Sequence, residues 1–188
     1  MPESGPTQDQ RDRVRSYLLG QAESKSFPEL WPAVETARSA LLVEVEGFCE
    51  KQAGFKPPVS SAEGSSDSQA GWSILEVLRH VLFEEEDVWR QIAALAAGRR
   101  TEGKLIGRLA GREGATLLQV LKDLREVRAG LLSNVEALAG SENLDATAPH
   151  PWFGELNCRA WFLFQRVHDG DHTRQVQKIK SHPAFPAP

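Results

Sequence analysis

The chain has 188 residues, 40% of them apolar and 26% charged, which suits one soluble domain with a full core and excludes a disordered chain. A net charge of −4 works against a broad electrostatic footprint, so nucleic acid is not an expected partner. No apolar run approaches the roughly 18 to 20 residues that span a bilayer, and no hydrophobic signal region opens the chain, so no membrane is expected and the cytoplasm is the expected address.

Turn and cap signals divide the chain into helices, and no stretch sustains period-two alternation, so the fold class is all-α. Thr7 followed by Gln10 has the form of a capping box and predicts a short first helix stopping at Gly20. A second helix is expected from Pro32 to about Ala53, with Gly54 as its stop and Gly47 a weak point inside it. Residues 54–71 are rich in Ser, Gly and Pro and longer than antiparallel neighbours need, as a crossover would be. Ser73 and Glu76 make the next capping box, flanked by Trp72 and Val77 as a hydrophobic staple, and predict a helix from Ile74 to about Ala97. Gly103, Gly107, Gly111 and Gly114 break up a basic stretch that has room for one short turn. Thr116 and Gln119 open a helix ending near Ala139, with Gly140 behind it. Two prolines and a glycine keep residues 142–156 from being helical throughout, and Asn157 caps a last helix from Cys158 to about Ser181. Four long amphipathic helices with unequal loops make a four-helix bundle. The expected division is an N-terminal segment 1–30 with a short helix, the bundle over 31–182 and a tail over 183–188.

The residues with most chemical content are His168 and His172. At i and i+4 they lie on one helix face, where two imidazoles can close on one metal ion. At roughly 100° per residue, Trp161, Gln165, His168, His172, Gln175 and Ile179 form one row with apolar ends and a polar middle. Four hydrogen-bonding side chains on a core-facing stripe need partners, water or a metal. Spacing alone favours ordinary hydrogen-bonded histidines over a metal site; the inward placement beside Gln165 and Gln175 and a third histidine in mid-helix bring the two readings level. Among His80, His150 and His182, the best third ligand is His80, in mid-helix, although it lies roughly 140° from the centre of its helix's apolar stripe. Glu84, four residues on, is placed to orient His80 or a bound water. His150 and His182 sit beside prolines and read as turn or capping residues.

Cys49 and Cys158 are far apart and form no CxxC, which gives no basis for a disulfide framework or a thiolate zinc site. Cys158 reads as a small buried side chain. The acidic run Glu84–Asp87 reads as a solvated face, since adjacent helical residues point in different directions. Arg99, Arg100, Lys104, Arg108 and Arg112, like the basic run at 11–15, lack interleaved aromatics and read as surface charge. Walker, GxGxxG, GxSxG and HExxH motifs are all missing.

Two stretches resemble a known family. GWSILEVLRHVLFEEE, a Trp-Ser helix start followed by a histidine, and HPWFGELNCRAWFLFQRVHDGDHTRQVQKI, a His-Pro turn leading into a final HxxxH helix, are similar to the DinB/YfiT-like four-helix-bundle proteins. They cover about a quarter of the chain, and the order and spacing of the three histidines agree. The start of the last helix departs from the family's Thr-x-x-Glu cap, with Asn157 and Ala160 at those places. The resemblance implies a bundle with long connections and a divalent metal, nickel or zinc, held by His80, His168 and His172. It also implies metal-assisted hydrolysis, or transfer and isomerisation with a low-molecular-weight thiol, on a small-molecule substrate. The alternative is a non-enzymatic scaffold or homodimerisation module with a structural or vestigial site.

Overall fold

A computed structural model of the chain describes residues 7–58, 69–102 and 112–187. The helices are α1 (Gln8–Ser24), α2 (Phe27–Glu44), α3 (Glu50–Ala53), α4 (Ile74–Ala96), α5 (Leu117–Leu138) and α6 (Cys158–Lys180). A two-stranded hairpin, β1 (Thr147–His150) and β2 (Gly154–Asn157), precedes α6.

The expected caps form. Thr7 N–H donates to Gln10 Oε1 at 2.7 Å, Ser73 N–H to Glu76 Oε2 at 2.8 Å and Thr116 N–H to Gln119 Oε1 at 2.9 Å. At α6, Ala160 N–H donates to the Asn157 side-chain oxygen at 3.0 Å. Each contact satisfies a donor that the first turn would otherwise leave without a partner.

Two helix boundaries differ from expectation. The first helix passes through Gly20 to Ser24, because Leu18 before that glycine and Ala22 beyond it are fully buried; burial outweighs a glycine penalty of about 1 kcal/mol. The second begins five residues early, at Phe27, where the Glu29 carboxylate accepts from Ser26 N–H at 2.8 Å and Pro28 occupies the first turn. It ends at Glu44, since Gly47 adopts φ +78° and turns the chain away, and only a single turn, α3, re-forms at Glu50. The hairpin was not anticipated: two four-residue strands, the first of them containing Pro149, carry too little alternation to register as β. Ala148 pairs with Leu156, both fully buried. The short turn expected among Gly103, Gly107 and Gly111 lies outside the described residues, as do Lys104 and Arg108.

The four long helices α2, α4, α5 and α6 close a ring: α6 packs on α2 and α4, and α5 on α4 and α2. Helix α1 lies against α6. Trp161, Phe162 and Leu163 of α6 are fully buried, and burial of such a side chain contributes about 1.5–3 kcal/mol. The Trp161 indole N–H donates to Ala148 O at 3.2 Å and ties the hairpin to α6. The helix carrying the HxxxH pair is therefore held on several sides. No helix among the described residues is long and apolar enough to cross a membrane.

Candidate metal centre

His80 from α4 meets His168 and His172 from α6. His168 Nε2 lies 3.2 Å from His80 Nε2 and 3.1 Å from His172 Nε2. His80 and His172 are 2% and 4% exposed, and His168 is half-buried. The angle of His80 to its helix's apolar stripe does not keep it out of the interior, because α4 is buried on several sides: Val77, Val81, Val88 and Ile92 are all within the core. Trp72 presents its ring edge-on to His80 with centroids 5.1 Å apart, and Phe164 packs beside His168 at 5.8 Å.

The tautomer of His172 follows from its partners. Gln69 O can only accept, so the Gln175 amide nitrogen, 3.3 Å from it, must face that carbonyl. Gln175 Oε1 is then the acceptor for His172 Nδ1–H at 2.8 Å, and the His172 Nε2 lone pair points to the cluster. Burial lowers the His172 pKa, against the opposing pull of Gln175 and Asp169, and favours the neutral ring. Glu84 Oε1 lies 4.0 Å from His80 Nδ1, on the side of the ring away from the cluster.

These contacts are not a hydrogen-bond chain. A ring nitrogen carries either one hydrogen or one lone pair, yet His168 Nε2 has two neighbours at 3.1–3.2 Å, one of them a lone pair. Two nitrogens each about 2.0–2.1 Å from a metal are about 2.9 Å apart at a right angle and about 3.3 Å apart at the tetrahedral angle. The two separations from His168 fall between these, and all three ligand atoms lie within 4.8 Å of one another, so the residues fit a divalent ion. Among the described residues the cluster has three members.

Beside the cluster lies a group of four buried charges that sequence reasoning missed. Arg38 of α2 donates from Nε and Nη2 to the two oxygens of Asp169 at 3.1 and 3.0 Å, and from Nη1 to Glu85 at 2.6 Å. Arg128 of α5 pairs with Glu85 at 2.6 Å and Asp169 at 3.3 Å. All four side chains are at most 6% exposed. Burial opposes the charge on Arg38, but Asp169 and Glu85 outweigh it and raise its pKa; for Arg128, burial and the neighbouring Arg38 prevail and lower it. The solvated reading of Glu84–Asp87 is thereby corrected for Glu84 and Glu85, while Glu86 and Asp87 remain partly exposed. Glu84 and Glu85 are 5% and 1% exposed, and Glu86 pairs with Arg112 at 2.9 Å. A signal was present: Arg38 falls in the row Val34, Leu41, Val45, and Arg128 in the row Leu124, Leu131, Val135, where a charge at a core position implies a buried partner.

The remaining candidates behave as expected. His150 Nδ1 accepts from Trp152 and Phe153 N–H at 3.1 and 3.3 Å in the hairpin turn, and His182 Nδ1 accepts from Ala184 N–H at 3.1 Å. Cys158 is fully buried, and burial, then Glu142, push its thiol pKa up to about 11. In the basic stretch, Arg112 also pairs with Asp123 at 2.8 Å and Arg100 with Glu155 at 3.4 Å.

Four long helices with a three-histidine cluster between two of them define a helical bundle with a site able to bind metal. A solved structure, the four-helix bundle protein TT2238, is similar over 81% of this chain and 99% of its own, at 24% identity and a TM-score of 0.57, a likeness in fold. No curated protein matches. The chain belongs to the DinB superfamily, whose family profile matches residues 33–176 and so includes all three histidines.

Proposed function

We propose that this protein is a divalent-metal enzyme in which His80, His168 and His172 hold nickel or zinc from one side. The observation that carries the reading is the convergence of three imidazole nitrogens, the three members that the cluster has among the described residues. A structural zinc site is closed by four protein ligands, whereas a catalytic one keeps a position open. Imidazole donors suit both zinc and nickel. An ion so held lowers the pKa of a water or thiol bound beside it, the chemistry needed for hydrolysis or for transfer and isomerisation with a low-molecular-weight thiol.

The chain's own groups prepare the site. Gln175 holds His172 in the Nδ1–H tautomer, and Glu84 faces the outer nitrogen of His80, where a carboxylate orients a ligand ring. Trp72 and Phe164 pack apolar surface against His80 and His168.

Metal content by mass spectrometry on tag-free protein tests the proposal. About one nickel or zinc per chain is expected in wild type and little in His168→Ala or His172→Ala, with helical content retained by circular dichroism. Wild type that neither carries nor takes up a divalent ion overturns the enzyme reading and leaves a scaffold.

A further inference from the structure

The triad and the four buried charges share one interface, that between α4 and α6. On α6, Asp169 follows His168 by one residue and precedes His172 by three; on α4, Glu85 follows His80 by five. At roughly 100° per residue, Asp169 is turned about 60° from His172 and Glu85 about 140° from His80. The two carboxylates thus flank the α4–α6 seam on the side facing α2 and α5, since Arg38 and Arg128 reach them from those helices. Unbridged, two buried carboxylates facing each other would push α4 and α6 apart. Arg38 spans them with its whole guanidinium: two nitrogens on Asp169 and the third, at 2.6 Å, on Glu85. A planar fork of this kind fixes both distance and orientation, as a lysine could not.

The consequence bears on the histidines. His80 comes from α4 and its two partners from α6, so a slide of one helix along the other by one residue, about 1.5 Å, would spoil separations now at 3.1–3.2 Å. We propose that Arg38 is a positioning residue for the histidine centre, clamping Asp169 to Glu85 and so setting the α4–α6 register in which the three ring nitrogens meet. The proposal rests on the metal-site reading above.

Cobalt(II) titration of the full chain tests it, with the visible d–d spectrum reporting coordination. Arg38→Met is expected to bind cobalt about 10–100-fold more weakly than wild type, the usual scale for a residue behind a ligand shell, with a changed d–d spectrum. Glu85→Gln, which keeps the Arg38–Asp169 fork and weakens the Glu85 contacts of Arg38 and Arg128, is expected to show the same changes to a smaller degree; it serves if Arg38→Met does not fold. The control is Glu142→Gln. It weakens a part-buried pair with Arg159 about 13 Å along α6 from His168, so it should leave cobalt affinity and spectrum as in wild type. Wild type that binds no cobalt overturns the metal reading and the clamp with it. Wild type that binds, with folded Arg38→Met or Glu85→Gln matching it in affinity and spectrum, overturns the clamp alone. An equal loss in Glu142→Gln also overturns it, since general loosening would then account for the effect.

Discussion

Asp169→Asn isolates the electrostatics of the bundle interior, because asparagine matches aspartate in size and opens no cavity. Asp169 is 0% exposed and accepts from Arg38 Nε, Arg38 Nη2 and Arg128 Nη2 at 3.1, 3.0 and 3.3 Å. Two guanidiniums now face two carboxylates in direct contact; in the variant only Glu85 stays in contact with them, with Glu35 acting on Arg128 from further off, and one buried positive charge loses its contacting partner. Breaking a buried pair from one side costs about 3–5 kcal/mol. For a chain of this size each kcal/mol moves Tm by about 2–4 °C, which predicts a fall of about 6–20 °C. The assay is thermal and urea unfolding followed by circular dichroism, with chelator present so that metal release adds nothing. Adding Arg128→Met restores charge balance, so the double variant should be more stable than the sum of the two single losses implies. A Tm within about 2 °C of wild type, or simple additivity, would refute the reasoning and mean that the four charges are not electrostatically interdependent.

The two cysteines should separate cleanly in a thiol titration at pH 8. Cys49 is exposed, whereas Cys158 is buried, donates to Asn143 O at 3.4 Å and has its pKa pushed up to about 11. Thiolate, the reactive form, is then about 100-fold scarcer at Cys158 than at an ordinary cysteine, so one thiol per chain should react natively and the second only on unfolding. Rapid labelling of both would show that α6 does not shield its first turn. Ser73→Ala should cost about 1 kcal/mol by urea denaturation, since Ser73 Oγ accepts from Glu76 N–H at 3.2 Å at the start of α4. An unchanged midpoint would mean that Trp72 and Val77 start the helix without the cap.

Much of the fold was legible locally. Capping boxes at Thr7, Ser73 and Thr116 and the Asn157 cap involve residues three apart, and their hydrogen bonds form within one turn regardless of what packs above them. The HxxxH pair is legible for the same reason, as is the resemblance around His80. The overrun of Gly20 was not legible, because the burial of Leu18 and Ala22 depends on where α6 passes, which no local pattern states. The hairpin escaped notice because its pairing spans only four residues on each side. Convergence of His80 with a pair 88 residues away was an expectation that only packing of α4 on α6 could realise. The same holds for the charges: Arg38, Glu85, Arg128 and Asp169 come one from each helix of the ring, and each alone reads as a misplaced polar residue on an apolar stripe. Their neutrality belongs to the group, because a buried charge is tolerated only where opposite charges reach it, and those partners meet only when the bundle closes.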